Sequence, residues 1–409
     1  TFLYSVVEEI RQQFMKRNDA GMWSGYARQH LLPRLFGFEL LMAPYSVAHL
    51  KLGMQLGGLD LAEAQRKVWS YDFTGDERLG VYLTNTLEAA ERKVETMFGP
   101  LRVISEEANA AGEIKRDMPI LVVIGNPPYS GHSANRSWGL KEGKRVRTFI
   151  GDLVQSYYYV DRQPLGEKNP KWLQDDYVKF IRWAQWRIQR TGAGVLAFIT
   201  NHSYLDNPTF RGMRQQLMEA FSEIYILDLH GNSKKKERSP DGSKDENVFD
   251  IQQGVAIGLF VKRSGELKPA VVHHAELWGP RDEKYARLAG TGVDTTHWAQ
   301  IEPQPPFYLF VPQTGDFVAE HESGWKVPDV FPVNSVGIVT GQDQKSIGFT
   351  ESEAGKLARE MGIPSETITP VLYRPFDTRL IVYDGRAVTR PRVEVMHHML
   401  AGDNVGLIT

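Results

Sequence analysis

The chain of 409 residues contains no cysteine. Disulfides, thiolate zinc sites, iron–sulfur clusters and thiol nucleophiles are therefore excluded from its chemistry. The sequence also lacks an apolar run of about 18 residues, the length that a membrane-spanning helix needs. Absence of cysteine suits a reducing compartment, so we expect a cytoplasmic location and no association with a membrane.

An excess of charge of one sign is missing as well, since 48 Lys and Arg residues are balanced by 50 Asp and Glu residues, for a formal net charge of −2. No global positive field would hold a polyanion, and any contact with nucleic acid must come from local basic patches. Two such patches, residues 141–147 and 234–238, lie in segments that we interpret as exposed loops. Neither a Gly-x-x-x-x-Gly-Lys-Ser/Thr phosphate loop nor a Gly-x-Ser-x-Gly turn occurs, so these residues predict no ATPase and no hydrolase of that class.

Up to about residue 265, short apolar runs alternate with helix-periodic stretches, a pattern typical of an α/β protein with a parallel sheet covered by helices. The predicted strands are residues 35–40, 81–83, 120–124, 195–199, 224–229 and 254–261. Helices are predicted over about residues 45–56 and 176–190, the second followed by glycines that suit a C-cap. Beyond about residue 265 the alternation fades and proline and aromatic residues become frequent, so we predict a domain boundary there.

The most informative residues are Asn126, Pro127, Pro128 and Tyr129, which follow the apolar run 120–124. Paired prolines fix φ and remove backbone donors, so a rigid turn at the end of a strand is the purely structural interpretation. The functional interpretation places the motif at the carboxyl end of a sheet strand, where α/β proteins bind ligands. There it would present an amide side chain, backbone carbonyls and an aromatic face to a planar base.

These residue types suit chemistry on an exocyclic amine. The N6 amino group of adenine is a poor nucleophile because its lone pair is delocalised, and two acceptors for its two hydrogens favour the pyramidal, more nucleophilic nitrogen. The side-chain oxygen of Asn126 and the carbonyl of Pro127 are candidates for those acceptors, and Tyr129 for the ring that stacks on an extruded base. Such a reaction requires positioning and electrostatics and no metal ion.

With this motif the sequence resembles the amino-group DNA methyltransferases that use S-adenosylmethionine. The resemblance implies a Rossmann-like sheet, S-adenosylmethionine as the cofactor, double-stranded DNA as the partner, and Phe249 as a second aromatic surface for the flipped base. It also implies an acidic contact to the cofactor's ribose, a polar contact to its adenine and an aromatic neighbour on a later helix. The cofactor-binding residues implied in this way are Thr1, Phe2, Glu39, Leu40, Asn85, Thr86 and Phe180.

Residues 37–45, 83–88 and 373–377 narrow the resemblance to Type ISP restriction–modification enzymes. This implies a methyltransferase domain over residues 1–265 and the beginning of an α+β target-recognition domain over 266–409, with helicase and nuclease domains upstream in the same polypeptide. Thr1 and Phe2 resemble the last residues of the family's first motif, whose strand and Gly-rich turn are missing. We therefore expect a fragment with weak or no activity by itself.

Three kinds of function remain open from the residues alone. The favoured hypothesis is a site-specific DNA methyltransferase that transfers a methyl group to adenine N6 of a flipped base within a restriction–modification system. A protein glutamine-N5 methyltransferase has the same motif and the same need to activate a planar nitrogen, and N4 of cytosine presents similar chemistry, usually with serine at the first motif position. A DNA-recognition module that only binds is the alternative without enzymatic activity.

Overall fold

The computed structural model describes residues 1–73, 75, 77–90, 101–129, 131, 133–167, 169–266, 269–313, 320, 323–325, 327–330, 333–336, 343–374, 377–382 and 405–408. The chain divides into two compact units, Thr1–Pro312 and Gln313–Thr409. Within these described ranges, no helix combines the length and the apolarity that crossing a membrane requires.

The first unit combines helices and strands along its whole length. Its helices are α1 (Phe2–Arg17), α2 (Ala20–Tyr26), α3 (Met42–Leu56), α4 (Glu63–Trp69), α5 (Leu101–Asp117), α6 (Phe149–Val154), α7 (Asp176–Thr191), α8 (Arg211–Ala220) and α9 (Arg281–Gly290). Its strands are β1 (Gly37–Glu39), β2 (Val81–Leu83), β3 (Val122–Gly125), β4 (Trp138–Lys141), β5 (Lys144–Arg147), β6 (Tyr159–Val160), β7 (Gln163–Pro164), β8 (Gly194–Asn201), β9 (Glu223–Asp228), β10 (Val255–Lys262), β11 (Val271–Glu276) and β12 (Ala299–Ile301). Every strand predicted from an apolar run is therefore present.

Among the residues that the structure describes, the main sheet has six strands in the order β12-β11-β9-β10-β8-β3. Strand β3 is parallel to β8 and β9 is parallel to β11, whereas β10 is antiparallel to both of its neighbours. The α/β class is confirmed, but the expectation of a parallel sheet is wrong. A parallel neighbour needs a crossover that is usually helical, and the segment between β9 and β10 contains no helix, so β10 returns antiparallel. Strands β1 and β2 form a separate parallel pair.

Helix α7 shows why local periodicity predicted these elements well. Its apolar residues Val178, Ile181 and Ile188 are buried in the largest core cluster, together with Leu196 and Phe198 of β8. Burying each such side chain stabilises the fold by roughly 1.5–3 kcal/mol. The helix ends at Gly192, which has φ 92° and donates its N–H to the carbonyl of Ile188, as the predicted C-cap requires.

The first unit continues past residue 265, where the sequence predicted a domain boundary. Strand β11 pairs with β9 and β12 pairs with β11, so both extend the main sheet. The buried side chain of Arg214 in α8 donates to the carbonyl oxygens of Phe307 (2.6 Å) and Tyr308 (2.9 Å), which ties that segment to the same core. The assignment of residues 1–265 and 266–409 to separate functions stays a prediction.

The second unit is built around a small antiparallel sheet. Its described elements are α10 (Val327–Val330), β13 (Val333–Val336), α11 (Asp343–Ser346), β14 (Ile347–Gly348), α12 (Glu351–Glu360), β15 (Ile368–Arg374), β16 (Asp377–Val382) and β17 (Val405–Ile408). The strand order is β14-β16-β15, and Ala354 and Ala358 of α12 are buried with Val382 of β16. Strands β13 and β17 form a parallel pair.

Candidate functional site

The Asn-Pro-Pro-Tyr motif directly follows β3, at the carboxyl end of that strand. Asn126 is exposed, Pro127 is buried and Tyr129 is half-buried. Because β3 is parallel to β8, the motif lies at the sheet edge toward which β8 also runs. Open α/β sheets bind ligands at this edge. The amide of Asn126 is therefore accessible to a ligand, and it is not part of the apolar core.

Tyr129 lines a cavity of about 1400 Å³. Burial raises the pKa of its hydroxyl to about 12, so the ring remains a neutral phenol at physiological pH. Small-molecule pockets usually have volumes of about 300–1,000 Å³, and this larger space has room for part of a polymer. The cationic residues on its walls are Arg136, Arg145, Lys171, Lys179, Lys234 and Lys235. Cations and aromatic rings together suit a polyanion that carries planar bases.

Asp175, directly before α7, is a site residue that sequence reasoning missed. It lines the same cavity, and its Oδ2 accepts a hydrogen bond from the backbone N–H of Gly131 at 3.1 Å. Burial raises the pKa of this carboxyl group. An acidic residue before a helix normally indicates only a cap, so nothing in the local pattern distinguishes Asp175. Its contact holds the segment that follows Tyr129 against the start of α7.

A buried lysine organises the same segment from the next turn of α7. Lys179 Nζ donates to Ser133 Oγ (2.9 Å) and to the carbonyl of Asn135 (2.6 Å). Asp176 Oδ1 in turn accepts hydrogen bonds from Ser133 Oγ (2.6 Å) and Asn135 Nδ2 (3.0 Å). Desolvation lowers the pKa of Lys179 although Asp176 and Asp175 oppose this shift. The chain after the motif is therefore fixed by a network of paired polar groups.

Asn85, an expected cofactor residue, joins this network. Its Nδ2 donates to Oδ1 of Asn135 at 2.8 Å, and its Oδ1 accepts from the N–H of Leu87 at 3.1 Å. Lys115 of α5 donates to the carbonyl of Asn85 at 2.6 Å and to Thr84 Oγ1 at 3.0 Å. Thr86 is half-buried in the same turn. The structure therefore connects the loop after β2 with the segment after the motif.

Glu39 lies at the end of β1, next to this loop. Its Oε1 accepts hydrogen bonds from the N–H groups of Leu40 (2.8 Å) and Leu41 (2.9 Å), and its backbone carbonyl accepts from Thr84 N (2.8 Å). The carboxylate is thus held by its own turn at the start of α3, and Leu40 is exposed beside it. Because β1 and β2 are parallel, Glu39 and Asn85 follow neighbouring strand ends.

The other expected cofactor-binding residues, Phe180, Thr1 and Phe2, lie on α7 and at the start of α1. Phe180 packs against the largest core cluster and is only partly buried there. Thr1 is the N-cap of α1 and Phe2 is its first residue. The next residue, Leu3, packs closely against Gly37 of β1: a Cβ on this glycine would lie 2.7 Å from Leu3 Cδ1. Nothing in the structure tests their roles in cofactor binding, which stay predictions.

Phe249 and Tyr129 pack against one apolar cluster, formed by Leu229, Val248, Val255 and Leu277. They line different cavities, because Phe249 faces a second one of about 720 Å³. The two rings thus pack against the same cluster, but each lines a different cavity. The role of Phe249 as a second stacking surface stays a prediction.

Residues 231–247, the segment with the basic patch 234–238, are mostly exposed as expected, but one end of the segment is anchored in the fold. Asp245 and Lys284 form an ion pair of 2.7 Å, and both side chains are completely buried. Lys284 Nζ also donates to the carbonyls of Leu229 and Glu246, both at 2.7 Å. Arg281 donates to the carbonyl of Phe249 at 3.1 Å. These contacts fix the segment to α9, although Lys234–Lys236 remain exposed within it.

Within the part of the chain that the structure describes, one group of side chains has ligand atoms close enough for a metal ion: His202, His230 and Glu237. Nδ1 of His202 contacts Asp228 Oδ1 at 3.0 Å, and its Nε2 contacts Asn232 Nδ2 at 3.2 Å. Both ring nitrogens thus have partners from the protein, and the Asp228 hydrogen bond raises the pKa of His202 against the effect of burial. We interpret the group as a hydrogen-bonded support for the segment after β9.

Strand β3 is an edge strand of the main sheet, yet it is strongly apolar. Leu121, Val122 and Ile124 are 55%, 61% and 43% exposed. An edge strand with exposed apolar side chains is a ready partner for a further strand.

One family of known proteins matches the C-terminal part of the chain. Residues 340–409 match the Type ISP C-terminal specificity domain. No curated protein sequence matches the chain. The predicted resemblance to Type ISP enzymes is therefore confirmed for the C-terminal segment.

Solved structures extend the likeness to the fold. The ATP-dependent Type ISP restriction–modification enzyme LlaBIII bound to DNA has a TM-score of 0.67 and 23% identity, over 95% of this chain and 27% of that one. A nuclease-deletion mutant of the Type ISP enzyme LlaGI with a DNA substrate mimic has a TM-score of 0.65 and 19% identity, over 95% and 34% of the two chains. The DrdV–DNA complex has a TM-score of 0.58 and 22% identity, over 87% and 38%. The chain thus spans between a quarter and two-fifths of the length of these proteins.

Proposed function

We propose that the chain provides the methyltransferase and specificity parts of a restriction–modification enzyme and methylates adenine N6 in duplex DNA. The observation that carries this proposal is the exposed Asn126 after β3, three residues before Tyr129, which lines a large cavity with cationic walls. The match of residues 340–409 to a specificity domain supports DNA as the substrate. The greater length of the structural relatives supports helicase and nuclease domains elsewhere in the polypeptide.

The residues beside β1 and β2 fit S-adenosylmethionine as the methyl donor. One oxygen of the Glu39 carboxylate is held by backbone N–H groups. The other oxygen would accept hydrogen bonds from the ribose hydroxyls. Asn85 and Thr86 follow the neighbouring strand, where a polar contact to adenine is needed. When bound, the cofactor supplies an electrophilic methyl group. Within the described residues β3 lies at the edge of the main sheet, and its exposed apolar side chains support a further strand there, whose Gly-rich turn would complete this site.

The motif performs the chemistry by hydrogen bonding and stacking. Asn126 Oδ1 and the carbonyl of Pro127 accept the two N6 hydrogens, which concentrates the lone pair on the nitrogen. Tyr129 stacks on the extruded base as a neutral ring and replaces the stacking that the base loses. As the new N–C bond forms, the methyl–sulfur bond of the donor would break and leave a neutral thioether, and one N6 proton would become acidic and leave to solvent at the exposed Asn126.

The test is transfer of a labelled methyl group from S-adenosylmethionine to duplex DNA by the protein that the complete gene encodes. Loss of an oxyanion-type hydrogen bond typically slows a reaction by about 100–1,000-fold, so we expect Asn126→Ala to abolish detectable transfer. Asn126→Asp keeps an acceptor and should retain part of the activity. Because Asn126 is exposed, neither variant should change thermal stability.

Analysis of the labelled nucleoside separates the remaining hypotheses. N6-methyl-2′-deoxyadenosine supports the proposal, whereas N4-methyl-2′-deoxycytidine identifies a different target base. Label in protein rather than DNA indicates a glutamine methyltransferase. DNA binding without any methyl transfer indicates a module that only recognises DNA.

A further inference from the structure

Strands β4 and β5, which the sequence suggested as part of an exposed loop, form an antiparallel hairpin. Trp138 pairs with Arg147, and Leu140 pairs with Arg145. The turn between the strands is Glu142-Gly143, and both residues have positive φ (51° and 74°), as a two-residue type I′ turn requires. This correction changes the interpretation of the basic patch, because a hairpin presents its cations on defined faces.

The base of the hairpin is fixed to the fold. Thr148 donates its hydroxyl to the carbonyl of Arg136 at 2.8 Å and its N–H to the carbonyl of Ser137 at 3.1 Å. Its hydroxyl also accepts from the N–H of Gly151 at the start of α6 (3.1 Å). A Cβ on Gly151 would lie 2.1 Å from the carbonyl oxygen of Ser137, so the two backbones are in direct contact.

Beyond this anchored base, one face of the hairpin combines cations with apolar groups. Side chains alternate along each strand, so Trp138, Leu140, Arg145 and Arg147 share a face. The guanidinium groups of Arg145 and Arg147 lie 4.7 Å and 5.0 Å from the Trp138 ring. Leu140, nearer the turn, is 79% exposed. Trp138, Leu140 and Arg145 also line the large cavity that contains Tyr129.

An exposed leucine paired with Arg145, on the face that also carries Arg147, suits a partner that is apolar where the leucine contacts it and anionic beside that point. Duplex DNA meets this requirement where a base leaves the stack, because the gap is lined by aromatic faces and flanked by phosphates. The position of this face on the cavity of Tyr129 favours DNA over an anionic membrane surface. Apolar wedges of this kind are a known means of holding an unstacked duplex.

We propose that the hairpin enters the duplex at the target position, with Leu140 in the gap left by the extruded nucleotide. Arg145 and Arg147 bind the flanking phosphates, and the Trp138 ring holds their guanidinium groups in place. The inference rests on the proposed function, since it assumes that the neighbouring cavity receives the extruded base. It assigns a specific role to one exposed side chain.

Binding of the chain to two fluorescent duplexes tests the wedge. One duplex is intact and the other has the same sequence with one abasic site, which removes the cost of unstacking a base. We expect the abasic duplex to bind more tightly by at least about tenfold, because the abasic site removes the cost of unstacking a base. Leu140→Ala should lose most of this preference and retain the affinity for intact DNA. Val146→Ala, on the opposite face of the same hairpin, is the matched control and should keep the preference.

The arginines are tested by the salt dependence of binding. Each phosphate contact contributes about 0.9 to the slope of log K against log salt concentration. Arg145→Gln and Arg147→Gln should each reduce the slope by about this amount on both duplexes. Lys67→Gln, an exposed cation on α4, should leave it unchanged.

The outcomes separate this inference from the proposed function. An unchanged preference in Leu140→Ala, an equal loss in Val146→Ala, or no preference in the original chain would each overturn the wedge. Binding to anionic lipid vesicles that depends on Leu140, with no abasic preference, would overturn it in favour of a membrane surface. Asn126→Ala should keep the abasic preference while losing methyl transfer. A Leu140-dependent preference in a protein that methylates no DNA would refute the proposed function and leave the wedge intact.

Discussion

Asn85 Nδ2 donates a hydrogen bond to Asn135 Oδ1 at 2.8 Å, which joins the loop after β2 to the segment after the Asn-Pro-Pro-Tyr motif. The first of these elements is the expected cofactor side and the second is the expected base side. Asn135 is also fixed by α7, through Asp176 and Lys179. The side chain of Asn135 therefore links the expected cofactor side of the site to the expected base side by hydrogen bonds.

Asn135→Ala is expected to weaken binding of S-adenosylmethionine by the protein of the complete gene. A hydrogen bond of this type contributes about 0.5–1.5 kcal/mol, which corresponds to roughly 2- to 13-fold in affinity. Titration calorimetry measures the change. Gln13→Ala removes an exposed amide from α1 and should leave the affinity unchanged. Equal affinities for the Asn135 variant and the original protein would contradict the connection.

The buried amine of Lys115 predicts a pH dependence of stability. Desolvation lowers its pKa from 10.5 to about 8. Between these values the unfolded chain binds a proton that the folded chain has released, so this group makes the free energy of unfolding rise with pH. The slope is at most about 1.4 kcal/mol per pH unit.

Urea unfolding between pH 7.5 and 10 should therefore show a smaller increase for Lys115→Met than for the original chain. Other groups titrate in this range, and the comparison between the two proteins isolates Lys115. Lys67→Met, whose side chain is 76% exposed, serves as the control with an unchanged pH profile. Parallel profiles for all three proteins would show that Lys115 is not desolvated.

Lys284→Met should strongly destabilise the first unit. It leaves the completely buried carboxylate of Asp245 without its cation, and breaking such a pair costs about 3–5 kcal/mol. Lys244→Met removes an exposed partner of Glu246 from the same segment and should cost less than about 1 kcal/mol. Denaturant unfolding measures both changes. Similar losses for the two variants would refute the importance of the buried pair.

Gly254→Ala tests the packing around His202. A Cβ at this position would lie 2.4 Å from the imidazole ring, so the ring must move away from its contact with Asp228. We expect a loss of about 1–3 kcal/mol, visible in thermal unfolding. Gly53→Ala in α3 meets no atom within 4 Å and should stabilise the helix by about 0.5–1 kcal/mol. A neutral effect at Gly254 would show that His202 is not fixed.

The strand positions, helix α7 and the location of Asn126 followed from the sequence. Apolar periodicity indicates which face of an element is buried, and the period is set by residues that lie close together in the chain. The glycine at position 192 and the prolines at 127 and 128 restrict the backbone locally. These features can therefore be predicted from the sequence without knowledge of the fold.

Only the tertiary structure decided how distant segments meet. The antiparallel direction of β10, the inclusion of β11 and β12 in the main sheet, and the burial of Asp245 with Lys284 depend on pairing between residues far apart in the chain. The same holds for the hairpin after the motif and for the contact between Asn85 and Asn135, 50 positions apart. Charged and amide side chains look alike in a sequence whether they are solvated or buried, because their state depends on partners that the fold alone brings together.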